Sequence, residues 1–450
     1  MNFADDEVPV NSGMRSDGVA ANGRHDADVD EDIRRRSAQF GSPPKRLLFL
    51  IADGFPTQRP DVSILFGVEL PRHGVVCNLV AQDSGEPQSG ETSWPSGQAF
   101  VCRRTGRRML DQLTAFWHDC LNLCKADAKH YDAIQVRDKV FAGLVGLACA
   151  RWRKLPFFFW MSFPVSEGFI DLARRGKLSL GLVRWVFVAI KGHLGKYLIY
   201  KLLLPRCDHI FVQSDHMASG LVRHGIRRDR MTPVPMGVDL KRLASAQDAP
   251  EPFRRLLAGR CVVAYLGALD RVRRIDLLFE ALVEVRKRIP NACLLLIGDA
   301  NQAADRRWLE QRAIELNVSD ALVWTGWVDP MVAWGYLRLA NLAVSLVPRG
   351  ELFDWASPTK VVEYMGLGLP VVANDQPDQH KVLSESGAGL SVPLSVDEFA
   401  GAVVKILSDP AMAAGMRSAG PPYVSKHRSY SLIGADVANV YRRLLFGRRV

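Results

Sequence analysis

At 450 residues, with 48% hydrophobic and 24% charged side chains, the chain has a globular balance and is too long for one ordinary core, so two domains of about 200 residues fit it. The 58 Lys and Arg against 48 Asp and Glu leave +10 at pH 7, which points to an anionic partner: a nucleotide, a nucleic acid or a membrane surface. The eight cysteines are scattered through apolar segments, which argues against a disulfide framework, and Cys120 and Cys124 lack a second Cys/His pair at zinc spacing.

Residues 1–44 are polar, charged and poor in aliphatics, so a disordered tail is expected there. The first apolar run, RLLFLIA at 46–52, comes too late for a secretory signal and reads as a buried strand ending at Asp53 and Gly54. Residues 74–81 read as a second strand, 88–98 as a Ser/Gly/Pro-rich loop and 110–126 as a helix. A strand ending at Val136, a helix over 139–152, and strands at 156–161 and 208–213 follow. Arg137 and Asp138 come directly after a strand; they either face a cleft or form a surface ion pair. Residues 231–244 look like a last strand running into a linker at 245–258. A second α/β series then begins with CVVAYLG at 261–267, a helix over 275–288 and a strand at 292–299. This alternation predicts parallel sheets covered on both faces, hence two doubly wound Rossmann-like domains facing a cleft.

The segment SPTKVVEYMGLGLPVVAND, 357–375, carries the most chemistry. Ser357 is a good N-cap and Pro358 suits the first helical position. The following turn offers the free amides of Thr359 and Lys360, a site suited to phosphate. Glu363 lies one turn on, where it could bind ribose hydroxyls. An ordinary capped helix explains the same residues.

Residues 169–206 hold eight Lys and Arg against one acid, Asp171. Lys177, Arg184 and Lys191 are seven apart, so they would share one helical face between apolar and aromatic residues. No run is long enough to span a bilayer. A cationic stripe docked on an anionic membrane surface is one reading, and a core helix with snorkelling lysines is the other. No nucleic-acid module accompanies the charge, so nucleic acid is not expected as a partner.

Three motifs resemble those of the family-four glycosyltransferases of the GT-B architecture: VPMGVDLKRL at 234–243, YLGALDRVRRIDLLFEAL at 265–282, and the 357–375 segment. The resemblance runs from about residue 45 to the C-terminus. It implies an acceptor-side domain over 45–244, a nucleotide-sugar domain over 259–428, and a C-terminal helix over 429–450 crossing back to the first domain. It further implies a retaining, metal-independent transferase with no cofactor, taking a nucleotide diphosphate sugar to a lipid-linked or glycan acceptor in cell-envelope or exopolysaccharide synthesis. Such an enzyme is expected in the cytoplasm, peripheral on the inner face of the membrane. Donor binding falls to Gly267, Arg271, Arg273, Ser357, Thr359, Lys360 and Glu363, with Arg273 and Lys360 stabilising the departing diphosphate. Asp53, Gly54, Arg137 and Asp378 are expected around the cleft. The chain also departs from the pattern. Trp355 stands where the first of the family's paired glutamates is expected, Ala268 replaces an arginine, and Ser162 lies near the place of a histidine. A nucleotide-sugar epimerase of the same fold and a non-catalytic binding protein are the alternatives.

Overall fold

The computed structural model of this chain describes residues 43–57, 59–85, 94–175 and 181–446. Nearly all of the expected tail, and part of the 88–98 loop, lie outside the described residues. The apolar runs form two sheets whose strand pairs are all parallel. The first contains β1 (Lys45–Phe55), β2 (Val75–Asp83), β3 (Ala99–Cys102), β4 (Ala133–Arg137), β5 (Phe157–Met161), β6 (His209–Val212) and β7 (Met231–Pro233), in the order β3-β2-β1-β4-β5-β6-β7. The second contains β8 (Cys261–Leu266), β9 (Ala292–Ile297), β10 (Leu322–Trp324), β11 (Leu342–Ser345), β12 (Val371–Asn374) and β13 (Gly389–Val392), in the order β10-β9-β8-β11-β12-β13. Each order reverses beside its first strand, which places a crevice at the carboxyl ends there.

Alternation along β1 divides the first core in two. Leu48 and Leu50 pack with helices α1 (Arg108–Lys125), α2 (Val140–Arg153) and α5 (Asp215–Arg223). Leu47, Phe49 and Ile51 face the other side, where Tyr430, Ile433, Val437 and Tyr441 of the last helix, α13 (Tyr430–Phe446), cover them. The chain's end therefore packs on its beginning, and the Tyr441 hydroxyl donates to Gln135 in β4. The second sheet is covered by α6 (Asp276–Arg286), α7 (Ala303–Glu315), α8 (Pro330–Leu337), α9 (Thr359–Gly366), α10 (Pro377–Ser386), α11 (Val396–Leu407) and α12 (Pro410–His427).

Some local expectations change. The first strand does not stop at Asp53 and Gly54 but runs, through an irregularity after Leu50, to Phe55. A Cβ on Gly54 would lie 2.7 Å from Ser84 Cα, so this glycine admits a neighbouring strand end and not a ligand. The 169–206 segment is not one cationic helix. It divides into α3 (Val165–Arg175) and α4 (Leu182–Tyr197), and Lys177 lies outside the described residues. Gly181, at φ 71°, caps the start of α4. Lys191 folds over the Phe169 ring at 4.4 Å and Lys196 lies 3.3 Å from Glu167, so long aliphatic stems turn these cations back onto α3. The face left open on α4 is apolar: Val183, Phe187, Ile190, Leu194 and Tyr197 are exposed.

Trp355 belongs by sequence to the second half, yet it is fully buried within the core of the first. Its ring sits against Gly220 of α5, where an added Cβ would come within 2.5 Å of it. Ser214 Oγ donates to the Trp355 carbonyl at 2.8 Å. Trp355→Ala should cost about 3–5 kcal/mol, as large aromatic truncations in a packed core do. Chemical denaturation checks this, and a loss below about 1 kcal/mol would show that the indole does not lock the two halves together.

Candidate active site

The donor-side residues gather where β8 ends. Gly267 has φ 134°, a conformation that L side chains avoid, and a Cβ on it would lie 2.8 Å from Lys360 Cε. Lys360 Nζ donates to the Tyr265 hydroxyl at 2.7 Å and lies 4.2 Å over the same ring. Arg273 closes a single 3-10 turn, Arg271–Arg273, and its guanidinium has no hydrogen bond or ion pair among the described residues. Burial, and then the Arg273 charge, push the Lys360 ammonium well below its ordinary range, while Glu363 acts in the opposite direction. Two neighbouring cations thus lack a full countercharge. An anion between them would supply it and restore the ammonium.

Glu363 stands one turn further along α9. Burial pushes its carboxyl up to about 7, against the pull of a hydrogen bond from Trp334 and of the Lys360 charge. Pro358 occupies the cap position of α9 without a side-chain cap, so the first-turn amides of Thr359 and Lys360 have no side-chain acceptor. Ser357 is not the cap. Its hydroxyl accepts from Met236 N at 2.9 Å and donates to Asp378 Oδ2 at 2.7 Å. Pro358, at φ −71° and ψ 127°, separates Ser357 from the helix and turns it toward this buried contact. Arg271 also departs from the expected cluster: its guanidinium stacks 4.2 Å over Trp308. Arg274 is held by Asp276 at 3.3 Å.

Asp378 does not rim the cleft. It lies in the first turn of α10, buried, with Arg428 Nη2 at 2.7 Å; Gln376 caps that helix. On the first sheet, Arg137 is not in a surface pair but 1% exposed. It donates to Asp53, to Asp61 Oδ2 at 2.8 Å and to Ser162 Oγ at 2.9 Å. Asp138, at φ 57°, accepts from Ser162 N at 2.8 Å and from the Ser162 hydroxyl. Asp53 alone in this network keeps a partly open side chain, at 31%. Burial and the Asp61 carboxylate, and more weakly Glu363, all raise the Tyr430 hydroxyl, so the strand-end cluster and the donor-side carboxyl bear on one side chain. Among the described residues no group of three or more His, Cys, Asp or Glu is arranged to hold a metal.

Sequence reasoning missed Tyr265, Trp334, Asp61 and the partnership of Ser162. Tyr265 had a signal, since it precedes Gly267 in the loop motif. Asp61 had none, because its partner is 76 residues away.

Arg137→Met should destabilise the protein by about 3–5 kcal/mol, because it leaves Asp61 buried without its partner. The combined Arg137→Met, Asp61→Leu change should recover part of that loss in a double-mutant cycle of denaturation midpoints. Additive losses would show that the ion pair is not the coupling.

Two parallel doubly wound sheets, with an anion-ready loop on one and a charged strand-end network on the other, define the GT-B class of glycosyltransferase architecture. A family model described as Glycosyltransferase Family 4 matches residues 65–242, and one described as Glycosyl transferases group 1 matches residues 260–409. The chain belongs to the family-four glycosyltransferases. It is 29% identical over 221 residues to a GDP-mannose-dependent alpha-(1-6)-phosphatidylinositol monomannoside mannosyltransferase of Mycolicibacterium smegmatis, covering 48% of this chain and 56% of that protein. It is 21% identical over 291 residues to an alpha-monoglucosyldiacylglycerol synthase of Streptococcus pneumoniae, covering 62% of this chain and 60% of that one. The chain thus spans little more than half the length of these curated relatives. In fold it is similar to sucrose-phosphate synthase of Thermosynechococcus elongatus, with a TM-score of 0.67 and 22% identity over 90% of this chain and 100% of that one. It is also similar to Anabaena HepE in complex with UDP, with a TM-score of 0.62 and 17% identity over 88% of this chain and 99% of that one.

Proposed function

We propose that this protein is a retaining glycosyltransferase that moves a sugar from a nucleotide diphosphate donor to a lipid-linked or polysaccharide acceptor. The observation that carries the reading is the pair Arg273 and Lys360 beside Gly267, two cations without full countercharge next to an open helix start. As the bond from sugar to diphosphate breaks, negative charge grows on the leaving oxygen. Preoriented cations and amides stabilise that charge more than they stabilise the bound donor, which is the condition for catalysis. Glu363, in its ionised form, accepts from the ribose hydroxyls. The retaining outcome rests on the family. The fold relative crystallised with UDP supports a nucleotide donor, and relatives named for phosphatidylinositol mannosides and glucosyldiacylglycerol support a lipid acceptor.

The test is a screen of nucleotide sugars for hydrolysis and for transfer to lipid extract. Transfer supports the reading. Donor binding with no turnover on any acceptor would point to a binding protein, and release of an epimerised free product would point to an epimerase. Arg273→Ala should lower kcat by about 100-fold or more, as loss of one preoriented donor does, and Arg274→Ala should do far less. Equal effects of the two would remove Arg273 from the site.

The Glu363 carboxyl titrates near 7 when folded and at 4.5 otherwise. Between those values the folded protein keeps a proton that the unfolded chain releases, so this group's contribution to stability falls as pH rises through that window. Donor affinity should change in the opposite sense, rising from pH 6 to 8 as the carboxylate forms, on the order of tenfold. Calorimetry at several pH values checks this, with Glu363→Gln expected to bind weakly and without the pH trend.

We further propose that the protein docks on an anionic membrane through the open face of α4. Among the described residues no single helix is long and apolar enough to cross a membrane. Val183, Phe187, Ile190 and Leu194 are exposed along one side of α4, with Arg184 exposed at its edge. Burying Phe187 and Ile190 in a bilayer interface contributes about 1.5–3 kcal/mol each. Phe187→Glu with Ile190→Glu should therefore reduce liposome flotation at least about 100-fold in partition coefficient. Unchanged flotation would assign the face another role.

A further inference from the structure

A cavity of about 870 Å3 opens between the two halves. Arg273, Lys360 and Glu363 do not line it, so it lies beside the proposed donor site and is not that site itself. One wall is formed by α3 and α4, with Arg174, His193 and Lys196; the other is formed by Arg271, Arg274 and the segment 348–353. The lining carries five Arg and Lys side chains against three carboxylates, Glu167, Asp171 and Glu351. Three of those cations already have partners. Lys196 lies 3.3 Å from Glu167, Arg274 lies 3.3 Å from Asp276, and Arg349 lies 2.8 Å from Asp354. Arg174 has no ion pair among the described residues, and the Arg271 guanidinium rests on an indole ring. Apolar side chains, Ile170, Val272 and Phe353, fill in between the charges.

We propose that this cavity holds a phosphate group carried by the acceptor, gripped by Arg174 and His193 from the first half and by Arg271 and Arg274 from the second. The inference rests on the glycosyltransferase reading and names its acceptor class: a phosphate ester with an apolar or amphiphilic remainder. A phosphate offers oxygens in several directions, so forked guanidinium groups on opposing walls can all engage it. The apolar patches between them suit the remainder of such a molecule. Because the two walls belong to different halves, the phosphate also brings the acceptor to the mouth of the donor site.

The probes are glycerol 1-phosphate in solution and phosphatidylglycerol in micelles, titrated calorimetrically into the full chain. Arg174→Glu with His193→Ala should weaken binding at least about tenfold, the effect of losing charge-assisted bonds to phosphate. Equal weakening of both probes assigns the cavity to phosphate itself; weakening of the micelle probe alone assigns it to a lipid headgroup. Unchanged binding of both, or loss confined to Arg273→Ala, would overturn the proposal. Donor hydrolysis should stay at the parent rate in the double variant, and the KM of a phosphate-bearing amphiphile should rise about tenfold while its phosphate-free analogue is unaffected. If the parent hydrolyses no nucleotide sugar, the glycosyltransferase reading fails, and the phosphate titration still decides the cavity.

Discussion

The cleft depends on a buried knot of polar groups where three separate stretches of chain meet. Arg428 donates to Asp378 Oδ1 at 2.7 Å, Asp378 Oδ2 accepts from Ser357 at 2.7 Å, and Ser357 accepts from Met236 N at 2.9 Å. Met236 leaves the first sheet, Ser357 and Asp378 belong to the second, and Arg428 starts the return to the first. A buried charge pair of this kind contributes little net energy against an apolar replacement, but breaking one partner is severe. Its value here is geometric. Gly237 admits the approach, since a Cβ there would lie 2.7 Å from the Arg428 carbonyl oxygen. Val238 N then donates to that same oxygen at 2.8 Å.

Trp355 acts on the same joint by packing. The residue that takes the place of a donor-side carboxylate is a buried wedge against Gly220, so the segment 350–357 is anchored on the first half while α9 begins on the second. The loop that lines the cavity and the helix that carries Lys360 are therefore held in one register. A carboxylate at 355 could not occupy that site without an unpaired buried charge.

Charge is distributed unevenly about this joint. Arg137 is matched by carboxylates on nearly every side, which makes the strand-end network rigid and leaves only Asp53 partly open. Arg273 and Lys360 are left with too little negative charge, which makes their loop receptive. One half of the cleft is electrostatically complete, and the other is completed by a ligand. That asymmetry, more than any single residue, is what a site for anionic donors requires.

The strands, most helices and the two-sheet plan were legible in the sequence, because buried parallel strands are continuous apolar runs and surface helices repeat every three to four residues. The loop at Gly267 and the start of α9 were legible for the same local reason. The π-helical turn at Leu65–Glu69 and the strand Ala99–Cys102 were not, since neither carries a periodic apolar signature. The sequence by itself determined which segments form elements and which carry mobile charge, as these depend on neighbours a few positions apart. Only the tertiary structure decided which polar groups are consumed in joining the halves and which stay open to a ligand. Ser357, Asp378 and Arg137 were drawn inward by partners far along the chain, Arg271 was turned onto Trp308, and Arg273 was left over. Burial and ion pairing are set by which surfaces meet in space, and a one-dimensional pattern does not record that.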